Sequence, residues 1–234
     1  MFRFKQFTVD QTNCAMKINT DGVLLGVLAG AKQPKTILDI GTGTGVIALM
    51  LAQRFPEAKI DAVEIDELAA ATARQNFANS PFVERLDLYA GDFEDFFKDQ
   101  PQKKYDLIVS NPPFYINSLQ SPGEKKKLAK HTDVDFFERL IKSATEHLTE
   151  IGLLWLILPV NTAELINSLI TVYGLHLNQR IEIKSFRTSG PHREILSFGF
   201  NKVDAEVSNF VIYEEKGIYH SDYKHKLKPY FINF

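Results

Sequence analysis

The sequence predicts a doubly wound α/β fold whose mostly parallel, seven-stranded sheet ends in a C-terminal antiparallel hairpin. Three observations carry this expectation. Short β-like runs alternate with longer helix-like runs between residues 36 and 158, the order that builds a parallel sheet with helices on both faces. A glycine-rich turn, Asp39-Ile40-Gly41-Thr42-Gly43-Thr44-Gly45, joins the first of these strands to the first long helix. Near the end of the chain strand-like runs follow one another with no long helix between them, which requires antiparallel pairing at the sheet edge.

Taken in order, residues 1–35 form an N-terminal extension holding one short helix, Val23 to Ala29, after the Asp21-Gly22 turn. Thr36 to Ile40 is the first sheet strand, and Thr44 to Phe55 follows as a helix because its apolar residues recur at helical spacing. Lys59 to Ile65 is the next strand, and Asp66 can cap the alanine-rich helix Glu67 to Asn79. Strands Leu86 to Ala90 and Tyr105 to Ser110 precede a long helix, Asp133 to Leu148. Gly152 to Leu158 is a buried-looking fifth parallel strand closed by Pro159. Leu177 to Phe186 and Glu194 to Lys202 pair as the hairpin, with Ser189-Gly190-Pro191 in the connection, and Asn209 to Glu214 is also strand-like. No repeat, low-complexity tract or linker divides the chain, so a single domain over residues 1–234 is expected, the extension contributing to its site.

A chain of 234 residues with 44% hydrophobic content can bury a substantial core. Its apolar run at Gly152 to Val160 is too short to cross a bilayer, and the start Met1-Phe2-Arg3-Phe4-Lys5-Gln6 lacks an apolar signal region. The single cysteine, Cys14, excludes an internal disulfide framework and forms no metal-ligand cluster with its neighbours. A cytoplasmic protein without membrane or metal is the expectation, with a monomer favoured. The net charge of −2 means that any contact with nucleic acid is local. Basic residues gather at Lys125-Lys126-Lys127 with Lys130 and His131, and again at Lys224, His225, Lys226 and Lys228. Each run reads either as a solvated face or as a phosphate contact. Acidic residues around Glu84 to Asp99 disfavour that edge as an RNA surface.

The tetrapeptide Asn111-Pro112-Pro113-Phe114, directly after the apolar run ending at Ser110, has the makings of a clamp for an amine. Two prolines remove backbone donors and stiffen the turn, which leaves the Asn111 side-chain oxygen and the Pro112 carbonyl as acceptors for an NH2 group. Phe114 adds a face on which the ring bearing that amine can stack, at about 1 to 3 kcal/mol per base. A plain turn capping a strand is the alternative.

The glycines of residues 39–45 allow a ligand to approach the backbone closely at the carboxyl edge of the sheet, although tight strand-to-helix packing would also select them. Asp39 suits a ligand with an ammonium group better than a pyrophosphate, which it would repel. Glu64, at the end of the second strand, stands where an acid holds two ribose hydroxyls, or is simply an exposed strand-end glutamate. Asp92 and Phe93 follow the third strand, where they can accept from an adenine amine and cover its ring, or serve as a helix cap and a core phenylalanine. Amino acid, ribose and adenine in that order describe S-adenosylmethionine.

In order and spacing, the segments DIGTGTG, EID, GDF and NPPF resemble the class I methyltransferases that modify amino groups. The stretch Phe7-Thr8-Val9-Asp10 through Met16-Lys17-Ile18-Asn19-Thr20-Asp21-Gly22 is more particular, as are Pro191-His192-Arg193 and the ending Tyr219 to Phe234. Together they resemble the tRNA1(Val) adenine-37 N(6)-methyltransferase family over essentially the whole chain. The resemblance implies a Rossmann-like methyltransferase fold, with Lys17, Thr20, Asp21, Asp39, Gly41, Gly43, Gly45, Glu64, Ile65, Asp92, Phe93 and Asn111 around the cofactor. Asn111, Pro112, Pro113 and Phe114 would hold the adenine, and Lys125, Lys126, Lys127, Lys130, His192 and Arg193 would face tRNA. Phe114 stands where the family often has tyrosine, which keeps the ring and removes a hydroxyl. Methylation of a protein glutamine is the rival enzymatic reading, and a module that binds cofactor and RNA without turnover is the non-enzymatic one.

Overall fold

The computed structural model describes residues 1–113 and 124–233, with the side chains of residues 124–133 outside the description. The chain starts with a two-stranded antiparallel ribbon, β1 (Phe2–Arg3) and β2 (Thr8–Val9), and a helix α1 (Thr20–Leu28). Asn19 sets the start of α1, because its Oδ1 accepts from the Gly22 N–H at 2.9 Å and satisfies a donor that the helix itself cannot. The helix therefore takes in Asp21 and Gly22, which the sequence suggests as a turn.

The alternating region then runs β3 (Thr36–Ile40), α2 (Val46–Arg54), β4 (Lys59–Glu64), α3 (Glu67–Ala78), β5 (Leu86–Ala90), α4 (Phe93–Asp99) and β6 (Tyr105–Ser110). It continues with α5 (Glu124–His147), β7 (Leu148–Leu158) and α6 (Val160–Leu169). Asp66 caps α3 through the Ala69 N–H at 2.8 Å, as its position suggests. The C-terminal part adds β8 (His176–Lys184), β9 (Pro191–Gly199), β10 (Glu206–Val211), a small hairpin of β11 (Tyr213–Glu215) with β12 (Ile218–Tyr219), and helix α7 (Ser221–Leu227).

The main sheet has eight strands in the order β10-β8-β9-β7-β6-β3-β4-β5. The doubly wound, mostly parallel architecture and the β8–β9 hairpin are as expected, with β9 antiparallel to both β7 and β8. The additional strand is β10, which lies parallel to β8 and takes over the edge. The strand-like run Asn209 to Glu214 straddles the end of β10 and the start of β11, so its pattern alone conceals this pairing. Helix α5 also starts earlier than its apolar spacing suggests, since its first turns are lysine-rich.

Period-two alternation divides the strands between two cores. Ile37, Leu107, Val109, Trp155 and Ile157 face α1, α2 and the chain termini, whereas Leu38, Ile40, Ile108, Leu154 and Leu156 face α4, α5 and α6. A fully buried side chain such as Leu38 contributes about 1.5 to 3 kcal/mol through removal from water. The two chain ends meet on the first face, where Phe4 bridges to Phe231 and the Lys5 N–H donates to the Tyr230 carbonyl at 2.7 Å. Because β3 to β7 run in one direction, the ends of β4, β3 and β6, and the entrance to β9, all open on the same edge.

Candidate active site

The glycine turn after β3 wraps around the end of β4: the N–H groups of Gly41 and Thr42 both donate to the Val63 carbonyl, at 2.9 and 3.1 Å. Gly41 and Gly43 have φ of +74° and +57°, and a Cβ on either would meet nothing within 4 Å, so the turn presents bare backbone to open space. Gly45 differs. A Cβ there would lie 2.5 Å from the Phe77 ring, so this glycine lets α2 and α3 pack.

Asp39 is fully buried beneath the turn. Its Oδ2 accepts from the Thr42 hydroxyl at 2.6 Å, while its Oδ1 has no partner among the described residues. Burial pushes its pKa up to about 7, against the opposing pull of the Thr42 hydroxyl and of the nearby Ala48 N–H. Glu64 is buried as well, rather than the exposed strand-end glutamate that its position alone allows. Its Oε2 accepts from the Gly43 N–H at 2.7 Å and its Oε1 from the Asp66 N–H at 2.9 Å, so one carboxylate ties the glycine turn to the start of α3. Ile65 beside it is 68% exposed, an apolar surface at the same edge.

Asp92 caps α4, its Oδ1 accepting from the Glu94 N–H at 2.7 Å. The Phe93 ring turns inward and meets Phe136 edge-on at 6.0 Å, so the ring serves the core between α4 and α5. At the end of β6 the Ser110 hydroxyl donates to the Ile40 carbonyl at 2.8 Å, which fixes the strand end beside the glycine turn. Asn111 follows, half-buried, with its Oδ1 enclosed and without a partner among the described residues. Pro112 is buried and Pro113 exposed; Phe114 lies outside the described residues. The first turn of α1 comes over this strand end: a Cβ on Gly22 would sit 3.8 Å from Asn111 Nδ2.

Asp21 in that turn is ion-paired with Arg193, whose Nε donates to Asp21 Oδ2 at 2.8 Å. His192 and Arg193 reach this edge because β9 is antiparallel and starts where β7 ends. Burial, and then the Arg193 charge, push the His192 pKa down. Lys17 is exposed on the loop before α1, and Thr20, also exposed, lines a separate cavity between β1, the start of α1 and the C-terminal segment. Lys125, Lys126, Lys127 and Lys130 have their backbone on α5, and their side chains lie outside the described residues.

The structure adds one residue that sequence reasoning missed. Asn76 on α3 donates through Nδ2 to the carbonyls of Asp10 and Thr44, at 2.9 and 2.8 Å, and accepts from the Asp10 N–H at 2.8 Å. It thus fastens the N-terminal extension to the glycine turn, helped by the Thr72 hydroxyl on the Thr12 carbonyl. Its signal was present: among Ala69, Ala73 and Phe77, Asn76 is a polar side chain on the buried stripe of α3.

The resulting edge pairs two buried oxygens, one of a carboxylate and one of an amide, that lack partners among the described residues with an open glycine backbone. A ligand carrying an ammonium group and a second molecule presenting an NH2 group would satisfy the two oxygens. No group of three or more metal-ligating side chains converges among the described residues.

The Methyltransferase small domain family matches residues 19–170. The chain is 49% identical over 233 residues to a tRNA1(Val) (adenine(37)-N6)-methyltransferase from Pedobacter heparinus, covering 100% of this chain and 98% of that one. A protein of the same name from Flavobacterium psychrophilum is 41% identical, with 99% of each chain covered. Among solved structures, a predicted O-methyltransferase from Agrobacterium tumefaciens superposes with a TM-score of 0.63 at 17% identity, covering 89% of this chain and 95% of its own, a likeness of fold.

Proposed function

Because the chain belongs to the tRNA1(Val) (adenine(37)-N6)-methyltransferase family, we propose that it methylates the exocyclic N6 amine of adenine-37 in tRNA1(Val), with S-adenosylmethionine as donor. The observation that carries the site assignment is the enclosed, unpartnered Asn111 Oδ1 at the end of β6, beside the glycine turn.

In this reading Asp39 would take the ammonium group of the cofactor, the open backbone of Gly41 and Gly43 would leave room for it, and Glu64 would keep lone pairs for the ribose hydroxyls. Ile65 and Asp92 would border the adenine, with Lys17 and Asp21 near the methionine end. When bound, S-adenosylmethionine supplies an electrophilic methyl group. The chain's own part is to position the nucleophile: Asn111 Oδ1 and the Pro112 carbonyl accept the two amine hydrogens, which localises the nitrogen lone pair away from the ring. The surplus proton then leaves to water. Most of the rate comes from orientation and from acceptors fixed in advance. The target base must leave its stack to reach Asn111, which costs least in an anticodon loop.

Residues 1–234 act in this proposal as one catalytic unit in the cytoplasm, with His192, Arg193 and the α5 lysines on the tRNA side. Nucleoside mass spectrometry of tRNA1(Val) from a deletion strain and its parent tests the reaction. Loss of N6-methyladenosine at position 37 is the expected result. Unchanged modification, or a methyl group appearing instead on a protein glutamine, overturns it.

A further inference from the structure

Next to the methyl-transfer edge lies a second cavity, of about 620 Å³, between β1, the start of α1 and the C-terminal segment. Its size falls within the ~300 to 1,000 Å³ range of small-ligand sites. The walls are apolar and aromatic, including Phe2, Ile18, Val23 and Tyr219, and the polar atoms come from Arg3, Asn19, Thr20 and Asn233. The aromatic side is a stack of rings: Tyr219 and Tyr223 stack at 4.7 Å and 7°, and Tyr213 stacks on Tyr219 at 5.1 Å.

We propose that this cavity binds a nucleotide of the RNA adjacent to the adenine being methylated, its base against the aromatic wall and its phosphate toward Arg3. The inference rests on the tRNA reading above and goes beyond it by locating a second nucleotide subsite. Three features favour this occupant. The first turn of α1 is shared, since Asn19 and Thr20 line the cavity while Gly22, in the same turn, lies against Asn111. Neighbouring nucleotides on one strand can therefore occupy the two sites together. Next, Arg3 puts a cation in the cavity wall itself, and the helix that supplies Tyr223 to that wall is basic on its outer side. Tyr223 and Leu227 anchor α7 to the core, which leaves Lys224, His225 and Lys226 outward, with Lys228 just after. Lys5 joins them through a 2.6 Å hydrogen bond from its ammonium to the Lys228 carbonyl. A cation beside an aromatic slot is the combination that holds single-stranded nucleic acid. Finally, the exposed Asn19, Thr20 and Asn233 supply donors and acceptors for a base edge.

Binding of unmodified tRNA1(Val), and of its anticodon stem-loop with an abasic nucleotide directly 5′ or 3′ of adenine-37, tests the proposal without requiring turnover. The double variant Phe2→Ala, Arg3→Ala should bind the intact stem-loop about tenfold more weakly while its Kd for S-adenosylmethionine is unchanged. One of the two abasic loops should bind the parent protein about tenfold more weakly and show no further loss in the variant. Parental RNA affinity in the variant, or additive losses from variant and abasic site, overturns the subsite. Arg3→Glu with an intact Tm provides the same test should the double variant fold poorly. Methylation of the intact loop by the parent protein is measured alongside, so that failure of the tRNA reading and failure of the subsite give different results.

Discussion

Asp39 combines full burial, a hydroxyl partner on one oxygen and none among the described residues on the other. Its pKa near 7, against an ordinary value of 3.8, means that the folded chain without ligand favours the neutral acid. The associated stability is fully present below the unfolded value and is lost as pH rises through the folded one. Thermal melts of the ligand-free protein between about pH 4 and 8 should show Tm falling across that window, and Asp39→Asn should flatten the fall. An equally steep fall in the variant would mean that Asp39 already carries its charge in the fold. An ammonium group placed beside it reverses the preference, so binding of S-adenosylmethionine near neutral pH should release protons, measurable by calorimetry in buffers of different ionisation enthalpy. Asn111 is tested differently. Asn111→Ala should lower kcat by about 100-fold to 1000-fold, the usual cost of one positioned polar group, with the cofactor Kd nearly unchanged. At this scale much of the candidate site was legible. Asp39, Glu64 and Asn111 stand out by chemical type at successive strand ends, but the direction of the Phe93 ring was not, since it depends on Phe136, which lies 43 positions away.

Between elements, connections that bind distant parts of the chain carry no periodic signal in the sequence. The alternation that predicts β3 to β7 is local and survives into the structure, as does the Asp66 cap. The Asp21–Arg193 pair spans 172 positions, and β10 reveals itself only by where it docks on β8. Asn76 belongs to the same class, because its partners lie on the N-terminal extension and on the glycine turn. Asn76→Ala leaves the Asp10 and Thr44 groups short of partners, at about 1 to 3 kcal/mol for buried polar atoms. Tm should fall by about 2 to 4 °C per kcal/mol in a chain of this size. The Kd for S-adenosylmethionine should also rise, because the extension and the turn lose their common fastening. A variant with lowered Tm and parental cofactor affinity would reduce Asn76 to a structural role.

For the whole molecule, a net charge of −2 leaves RNA recognition to the distribution of basic residues over the surface. Topology decides which of them can act. Helix α5 leaves from the side of the sheet where β6 ends and returns to the start of β7, so its first turns, with Lys125, Lys126 and Lys127, belong to the edge that holds Asn111. The second basic group lies on α7, whose Tyr223 lines the adjacent cavity. Of the acidic residues, Glu84 and Asp87 lie at β5, the edge strand at the opposite end of the order from β10, whereas Glu94 on α4 is paired with Arg139 of α5. Reversing the charge of Lys125, Lys126 and Lys127 together should weaken tRNA binding at moderate salt. It should also flatten the plot of log Kd against log salt by about 0.7 for each single-strand phosphate that the variant no longer neutralises. Affinity for S-adenosylmethionine should not change, since the glycine turn and Glu64 lie on other loops. If affinity and slope both stay at parental values, the α5 lysines are a solvated face and the footprint belongs to α7 and Arg3.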